Sequence, residues 1–540
     1  MQPLFAREIL PWFGGAQSVW TTSLVCFQVL LLGGYLYAHL GRRLGILLQA
    51  VLHGALLLFS LALLPVVAEP TWKPTGAESP SWRLTVLLVT AVGGPYLLLA
   101  RTAPLLHHWF GRQRLGRSPY PLYAVSNVGS LLALLAYPTL VEPLLPVSRQ
   151  ATLWSASYAA FVIACSWLAM GVARAEADAS PTPSTGSDRP RVPSPSGADV
   201  GLWLALSACG SGLLISLTNH ITMDMAVVPF LWVLPLSLYL LTFVFAFAGL
   251  YRRSLWGSLL VLGLGAMALL WNWGFALPFA VQFVGSAAVL FTACMVCHGE
   301  LARSAPGAPH LTTFYLTIAA GGALGGLLVA LLAPAVFTDF WDLPLFLLSS
   351  YALLVVVVHR DRGSVLEAVS RPLSWAALVS VLIIATAGFV LPTVRRDRGT
   401  VATAHNFYGV LRVQDAPPGM MMSQRVLLVG RIFHGGQFLD PGRAREATAY
   451  FTAGSGVEMA IRRHPRRLAG ENLLIGVIGL GVGTIAAWGE RGDSIRFYEI
   501  TPTVETFARL HFSFLADSEA NVAVVLGDGR LSPEREAADP

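Results

Sequence analysis

Backbone N–H and C=O groups find no water inside a bilayer, so a run of about 20 apolar residues reads as a crossing helix. This chain contains twelve such runs. Five come before a polar break, over residues 18–40, 44–68, 84–106, 121–141 and 151–172. Seven come after it, over 201–221, 226–249, 255–273, 275–298, 312–337, 343–359 and 373–391. The composition agrees: 55% of the 540 residues are hydrophobic and 12% are charged, against about 25% charged in soluble domains. The partner implied for most of the chain is the lipid bilayer.

The break itself, residues 173–199, is rich in Pro, Ser and charge and reads as a disordered linker. The pI near 9.2 does not indicate nucleic acid. Lys73 is the only lysine, and the arginines fall in short loops between apolar runs, which is the mark of membrane topology. Arg42 and Arg43, Arg112 to Arg117, Arg252 and Arg253, Arg303, and Arg360 to Arg371 mark one set of loops as cytoplasmic. Two signals then conflict over the C-terminal region. Twelve crossings carry it to the opposite face, whereas Arg395, Arg396 and Arg398 directly after the last run argue for the cytoplasm. Heavy Ala, Gly, Leu and Arg usage with almost no Lys suggests a bacterial source, and hence a multi-pass protein of the inner membrane.

The two bundles, 1–172 and 200–394, look like repeats. LYAVSNVGSLLALLAYP (122–138) echoes FYLTIAAGGALGGLLVALLAP (314–334), and SVWTTSLVCFQVLLLGGYLYAHLGRR echoes PFLWVLPLSLYLLTFVFAFAGLYRR. In the second copy a helix over 201–221 precedes that stretch. The first copy has no such helix, so the N-terminus is expected to be truncated. Internal repeats are common in transporter folds, whose ligand sites lie between the halves.

The five cysteines all fall in apolar runs and read as small hydrophobes rather than a disulfide framework. Cys294, Cys297 and His298 have the spacing of a haem attachment motif. Their place at the end of a span favours packing, so neither haem nor a metal is expected. Asn219, His220 and Asp224, with Arg101 and Asn127, are intramembrane polar groups. They are candidates for a substrate path or for helix–helix hydrogen bonding. The N-terminus is too polar and proline-rich for a cleavable signal peptide.

After residue 394 the pattern changes to short strands, a hairpin region over 395–470 and a nucleotide-type unit over 471–540. Residues 473–478 read as a buried strand, Gly479-Leu-Gly481-Val-Gly483 as a tight turn, and 484–488 as the opening of a helix. Glycines there let the backbone approach a ligand, and the helix start offers N–H groups. The next strand, 494–500, carries Glu499, placed to accept both hydroxyls of a ribose, 16 residues past Gly483. The spacing usual for this geometry is about 20. A third strand, 522–526, leads to Asp528, beside the expected adenine edge.

Over these stretches the chain resembles the spermidine synthase (polyamine aminopropyltransferase) group, in the bacterial form fused to a major-facilitator-like membrane region. The matching segments are LPWFGGAQSVWTT, TNHITMDMAVVPFLWVLPLSLYLLTF, CHGEL, HNFYGVLRV, FHGGQF, AYFTAGSGV, IGLGVGTIAAWGERGDSIRFYEITP and VVLGDGR. The fold this implies is a polytopic α-helical membrane domain of two repeated bundles, followed by an incomplete α/β Rossmann-like domain of the class I S-adenosylmethionine type. The implied ligand is decarboxylated S-adenosylmethionine or S-adenosylmethionine, with a polyamine as second substrate. Gln437, Glu499 and Asp528 fall at nucleoside positions alongside Gly479, Gly481 and Gly483, and Tyr450 at an amine-pocket position. Tyr450-Phe451 departs from the two tyrosines usual in the group.

The resemblance also places a catalytic Asp after a fourth strand. Only 12 residues follow Asp528, and Asp539 comes before any such strand. The expectation is therefore a chain truncated at this end too, lacking aminopropyl transfer as written. The sheet edge a fourth strand would cover is a candidate surface for a homo-oligomer. A transporter or sensor with a non-catalytic nucleoside- or polyamine-binding domain is the alternative. Methyl transfer fits less well, because HGGQF and the Tyr-Phe pair belong to the aminopropyltransferase pattern.

Overall fold

The computed structural model describes every residue except 1, 14–15, 42, 75–79, 114–119, 179–193, 224–228, 362–370, 417–422 and 539–540. Among the described residues, twelve helices of fifteen residues or more make up most of the first four hundred. In chain order they are α1 (Gln17–Gly41), α2 (Ile46–Ser60), α3 (Pro80–Gln113), α4 (Tyr120–Ala136), α5 (Val147–Asp178) and α6 (Gly197–Thr222). They continue as α7 (Pro229–Phe247), α8 (Arg253–Trp273), α9 (Phe279–Arg303), α10 (Leu311–Leu327), α11 (Asp342–Arg360) and α12 (Arg371–Arg396). Among the described residues, eleven apolar stretches are long enough to cross a membrane, and the stretch in α7, Leu231–Phe247, is shorter. This is a multi-pass membrane protein.

The linker expected from residue 173 starts later than its composition suggests, because α5 continues to Asp178. The apolar α5 carries its last turns past the membrane edge. On the far side, Ser196 caps α6 by accepting from the Asp199 N–H, while the Asp199 carboxylate accepts from the Ser196 N–H. This reciprocal cap fixes where the second bundle begins.

The repeat seen in the sequence has a structural counterpart. Helix α1 packs on α10, and its repeat equivalent α7 packs on α4, the equivalent of α10. Trp20 and Trp232, matching positions in the two copies, stack face to face with ring centroids 3.9 Å apart. Both α4 and α10 end in a widened π-helical turn, Tyr137–Val141 and Leu328–Leu332. The two halves therefore meet through equivalent surfaces.

The C-terminal region begins with an antiparallel sheet of β1 (Thr400–Asn406), β2 (Gly409–Asp415), β3 (Gln424–Val429) and β4 (Ile432–Phe438), in that order. Helix α13 (Gly456–Arg462) follows, then a parallel sheet of β5 (Leu474–Ile478), β6 (Ser494–Glu499) and β7 (Asn521–Leu526). Helix α14 (Pro502–His511) joins β6 to β7, and α15 (Leu531–Ala538) follows β7. The segments separated at residue 470 in the sequence share one core. Leu411, Val413 and Leu427 of the first sheet pack with Val482, Ile495, Phe497 and Phe507 of the second unit. Strand β5 lies at the sheet edge, and its Leu474 and Ile478 are 79% and 77% exposed.

This sheet region docks on the membrane bundle through a buried ion pair. Arg412 of β2 donates to Asp339, in the loop before α11, at 2.8 Å. Asp397 lies 3.4 Å from the same guanidinium. His405 Nδ1 donates to the Phe337 carbonyl at 3.2 Å. Arg396 sits over the Trp271 ring, so this arginine after the last span is held at the interface. The loops at this end of the bundle are those poor in arginine. Arg43, Arg253, Arg303 and Arg360 lie at the other end, where Arg253 joins Glu300 and Asp361, each at 2.6 Å. Applied to these two ends, the positive-inside rule predicts that the domain faces away from the cytoplasm.

Two measurements check this arrangement. A cysteine replacing the exposed Arg491 reacts with a membrane-impermeant maleimide added outside intact cells, whereas one replacing Arg303 reacts only after permeabilisation. Removing one partner of a buried ion pair costs about 3 kcal/mol or more, so Asp339→Ala lowers the thermal midpoint of the purified protein and exposes the β region to protease.

Candidate functional site

The glycine turn after β5 adopts the conformation its sequence demands. Gly479, Gly481 and Gly483 have φ values of 87°, 56° and 81°, in the left-handed region that glycine tolerates and other residues avoid. At Gly481 a Cβ would also sit 2.9 Å from the His434 carbonyl oxygen, so β4 backs directly onto the turn. The expected helix after the turn is instead a single 3₁₀ stretch, Thr484–Trp488. Ten residues separate Gly483 from β6, and Gly489 and Gly492 occupy two of them, leaving no room for a longer helix.

Glu499 ends β6 beside this turn and is buried. Its Oε2 accepts from the Leu480 N–H at 2.9 Å, and its Oε1 from the Thr501 N–H at 2.8 Å. The carboxylate therefore braces the turn it faces. Each carboxylate oxygen has two acceptor positions, so one remains on each. Asp528 follows β7, and its Oδ1 accepts from Arg530 and Leu531 at 2.9 and 3.0 Å. It caps α15 while its charge stays near the turn.

Tyr408, in the turn between β1 and β2, lies beside both acids. Burial first, then the negative charges of Asp528 and Glu499, pushes its hydroxyl pKa up to about 12. Desolvation pulls the His434 imidazole below its ordinary value, and the Glu499 carboxylate works in the opposite direction. Neither Tyr408 nor His434 stood out in the sequence. Both lie inside the quoted stretches HNFYGVLRV and FHGGQF, where polar and aromatic side chains next to glycines were the available signal.

Gln437 and Tyr450 sit differently from the glycine turn. Gln437 is buried, and its Nε2 donates to the Ala444 carbonyl at 2.8 Å and to Ser513 Oγ at 2.7 Å. Its Oε1 accepts from the Ser513 N–H at 2.9 Å. Both amide protons are thus committed, one to the loop after β4 and one to the segment after α14. Tyr450 is 64% exposed and donates to the Phe433 carbonyl at 3.0 Å, so it stands at the surface.

The intramembrane polar residues divide as well. Asn219 accepts from Thr21 at 2.7 Å across α6 and α1, and His220 stacks on Trp271. Asp224 lies outside the described residues. Arg101 is fully buried over the Tyr37 ring, and none of its guanidinium nitrogens has a hydrogen-bond partner among the described residues. Asn127 lines a cavity of about 490 Å³ between the two halves, with Gln28, Tyr35, Tyr96, Ser207 and Tyr239. His298 is a packing residue: its Nδ1 meets Thr242 at 2.7 Å and its ring stacks on Phe243.

No protein-family model matches the chain, and no curated protein matches it. The chemistry of the site must therefore be argued from its own residues.

Forcing a side chain into the left-handed region costs of order 1–3 kcal/mol, and at Gly481 the His434 carbonyl adds a steric clash. Gly481→Ala accordingly destabilises the C-terminal region by about that amount in denaturant unfolding, whereas Gly456→Ala, at a position with open space for a Cβ, leaves the midpoint nearly unchanged.

Proposed function

We propose that the C-terminal region is a Rossmann-like domain of the class I S-adenosylmethionine type that binds decarboxylated S-adenosylmethionine or S-adenosylmethionine. The rest of the chain, in this reading, is a major-facilitator-like bundle of the bacterial inner membrane. The observation that carries the proposal is the convergence of strand-end groups. The glycine turn after β5, Glu499 at the end of β6 and Asp528 after β7 come together at the carboxyl ends of adjacent parallel strands, where open α/β sheets bind ligands.

The roles follow from the free valences. Glu499 has one open acceptor position on each oxygen, suited to the two hydroxyls of a ribose. Asp528 offers its second oxygen to an adenine amino group, and Tyr408 brings an aromatic ring to the same place. Gln437, with both amide protons committed, positions β4 rather than touching the nucleoside. Tyr450 is the candidate contact for a polyamine at the rim. The chemistry of the spermidine synthase group would be attack by an amine on the aminopropyl carbon next to a sulfonium, which rests on positioning and a carboxylate base. The central cavity favours a second reading, a transporter or sensor whose C-terminal domain binds the nucleoside without transforming it.

Calorimetry on the full chain in lipid nanodiscs tests the binding reading. Decarboxylated S-adenosylmethionine and S-adenosylmethionine are expected to bind, and Asp528→Asn and Glu499→Gln to weaken the tighter of the two at least tenfold, about 1.4 kcal/mol. Asp528→Asn retains an oxygen to cap α15, so its thermal midpoint should stay near that of the parent chain. Absence of binding by every adenine nucleoside in a folded sample overturns the reading. Uptake of labelled nucleoside or polyamine into proteoliposomes, abolished by Gln28→Leu, would favour the transporter.

A further inference from the structure

A second cavity, of about 210 Å³, lies where the membrane bundle meets the β1–β2 turn. Its walls come from three parts of the chain. Thr21 belongs to α1 of the first bundle, Asn219 and Asp342 to α6 and α11 of the second, and His405 to Tyr408 to the sheet region. We propose that this cavity binds a small organic cation bearing an ammonium group, with Asp342 as its counter-ion. The site stands apart from the nucleoside reading and does not depend on it.

Asp342 is only 5% exposed, and its Oδ1 has no hydrogen-bond partner among the described residues. No ion pair among the described residues reaches it. Arg412 of the interface is instead committed to Asp339 and Asp397. A negative side chain in the first turn of α11 suits the helix dipole. The dipole does not explain why the carboxylate is shut away from water and turned to a cavity, since an exposed position would serve the helix equally. A buried carboxylate without a counter-charge is costly, and a cationic ligand removes that cost.

The remaining walls set the kind of cation. Asn219 Oδ1 accepts from Thr21 and keeps a second acceptor position. His405 uses Nδ1 on the Phe337 carbonyl, and burial holds its pKa below the ordinary value. The neutral ring therefore leaves Nε2 as an acceptor. Phe340, Phe407 and Tyr408 add aromatic surface, which attracts ammonium groups through the ring quadrupole. One carboxylate, neutral acceptors and aromatic walls suit an alkylammonium better than a divalent metal, which would take several carboxylate or carbonyl oxygens. Among the described residues no group of three His, Cys, Asp or Glu side chains could hold a metal.

The test uses the full chain in nanodiscs of anionic, amine-free lipid. n-Butylammonium is titrated against n-butanol as its uncharged counterpart, and binding is followed by calorimetry and by the thermal midpoint. n-Butylammonium is expected to bind and raise the midpoint, and n-butanol to do neither. Asp342→Asn should weaken n-butylammonium at least tenfold while leaving the ligand-free midpoint equal or higher, because it removes an uncompensated charge. Thr21→Leu, which keeps the carboxylate but fills the cavity, should also abolish binding, so a folding defect in one variant does not decide the outcome. Nanodiscs containing phosphatidylethanolamine distinguish the source: competition there identifies a lipid headgroup as the natural ligand, and its absence a free amine. Equal binding of n-butanol, or undiminished n-butylammonium binding by both variants, overturns the proposal. Nucleoside titrations on the same samples should be unchanged, which separates failure here from failure of the nucleoside reading.

Discussion

A hydrocarbon interior offers no partner to a free backbone amide, and this single constraint orders most of the molecule. Each of the twelve helices satisfies its own hydrogen bonds before any side chain is considered. Association between them is then left to close packing and to a few polar contacts. The glycines of α10 illustrate the first. A Cβ at Gly321 would lie 2.6 Å from the Leu204 carbonyl, and one at Gly325 2.1 Å from that of Ala208, so α6 and α10 approach backbone to backbone. The second is seen at Gln28–Ser211 and Thr21–Asn219, both 2.7 Å and both between the two halves. The sheets, whose edges need water or a partner, form only after the last helix has left the membrane.

Docking of the sheet region follows from charges placed just beyond that boundary. Asp339 and Asp397 take up Arg412, and Arg396 is absorbed against Trp271. Arg396, one of the arginines that in isolation argue for the cytoplasmic face, is thus packed into the docking interface. The same interface brings the β1–β2 turn between two polar sites. Tyr408 lies near Glu499 and Asp528, and it also lines the cavity of Asp342. Four consecutive residues, His405 to Tyr408, thus line the cavity against the membrane bundle, and the last of them also lies near the acids beside the glycine turn.

The features visible in the sequence were those set by local rules. Apolar runs mark the helices, echoing stretches such as 122–138 and 314–334 mark the repeat, and the spaced glycines mark a turn with three left-handed residues. Residues whose roles depend on distant chain segments were not legible. Gln437 has the composition of a ligand-binding residue, yet Ser513, 76 positions away, takes its amide. Asp342 looks like an ordinary helix-start acid until α1, α6 and the β1–β2 turn close over it. The helix after Gly483 was over-read because a glycine turn usually introduces one, whereas the short spacing to Ser494 permits only a 3₁₀ stretch. Arginine counts conflict over the side of the C-terminal region, because Arg395, Arg396 and Arg398 directly follow the last span while most loop arginines mark the other end of the bundle.

The stacked indoles of Trp20 and Trp232 occupy corresponding places in the two copies and tie one half directly to the other. Rings in face contact can rotate in their common plane with little loss of overlap, but they separate at once if the halves part. Rocking about this pair preserves the contact, and outright separation breaks it. A rocking of one half against the other that kept this contact would reshape the cavity between them without parting the copies.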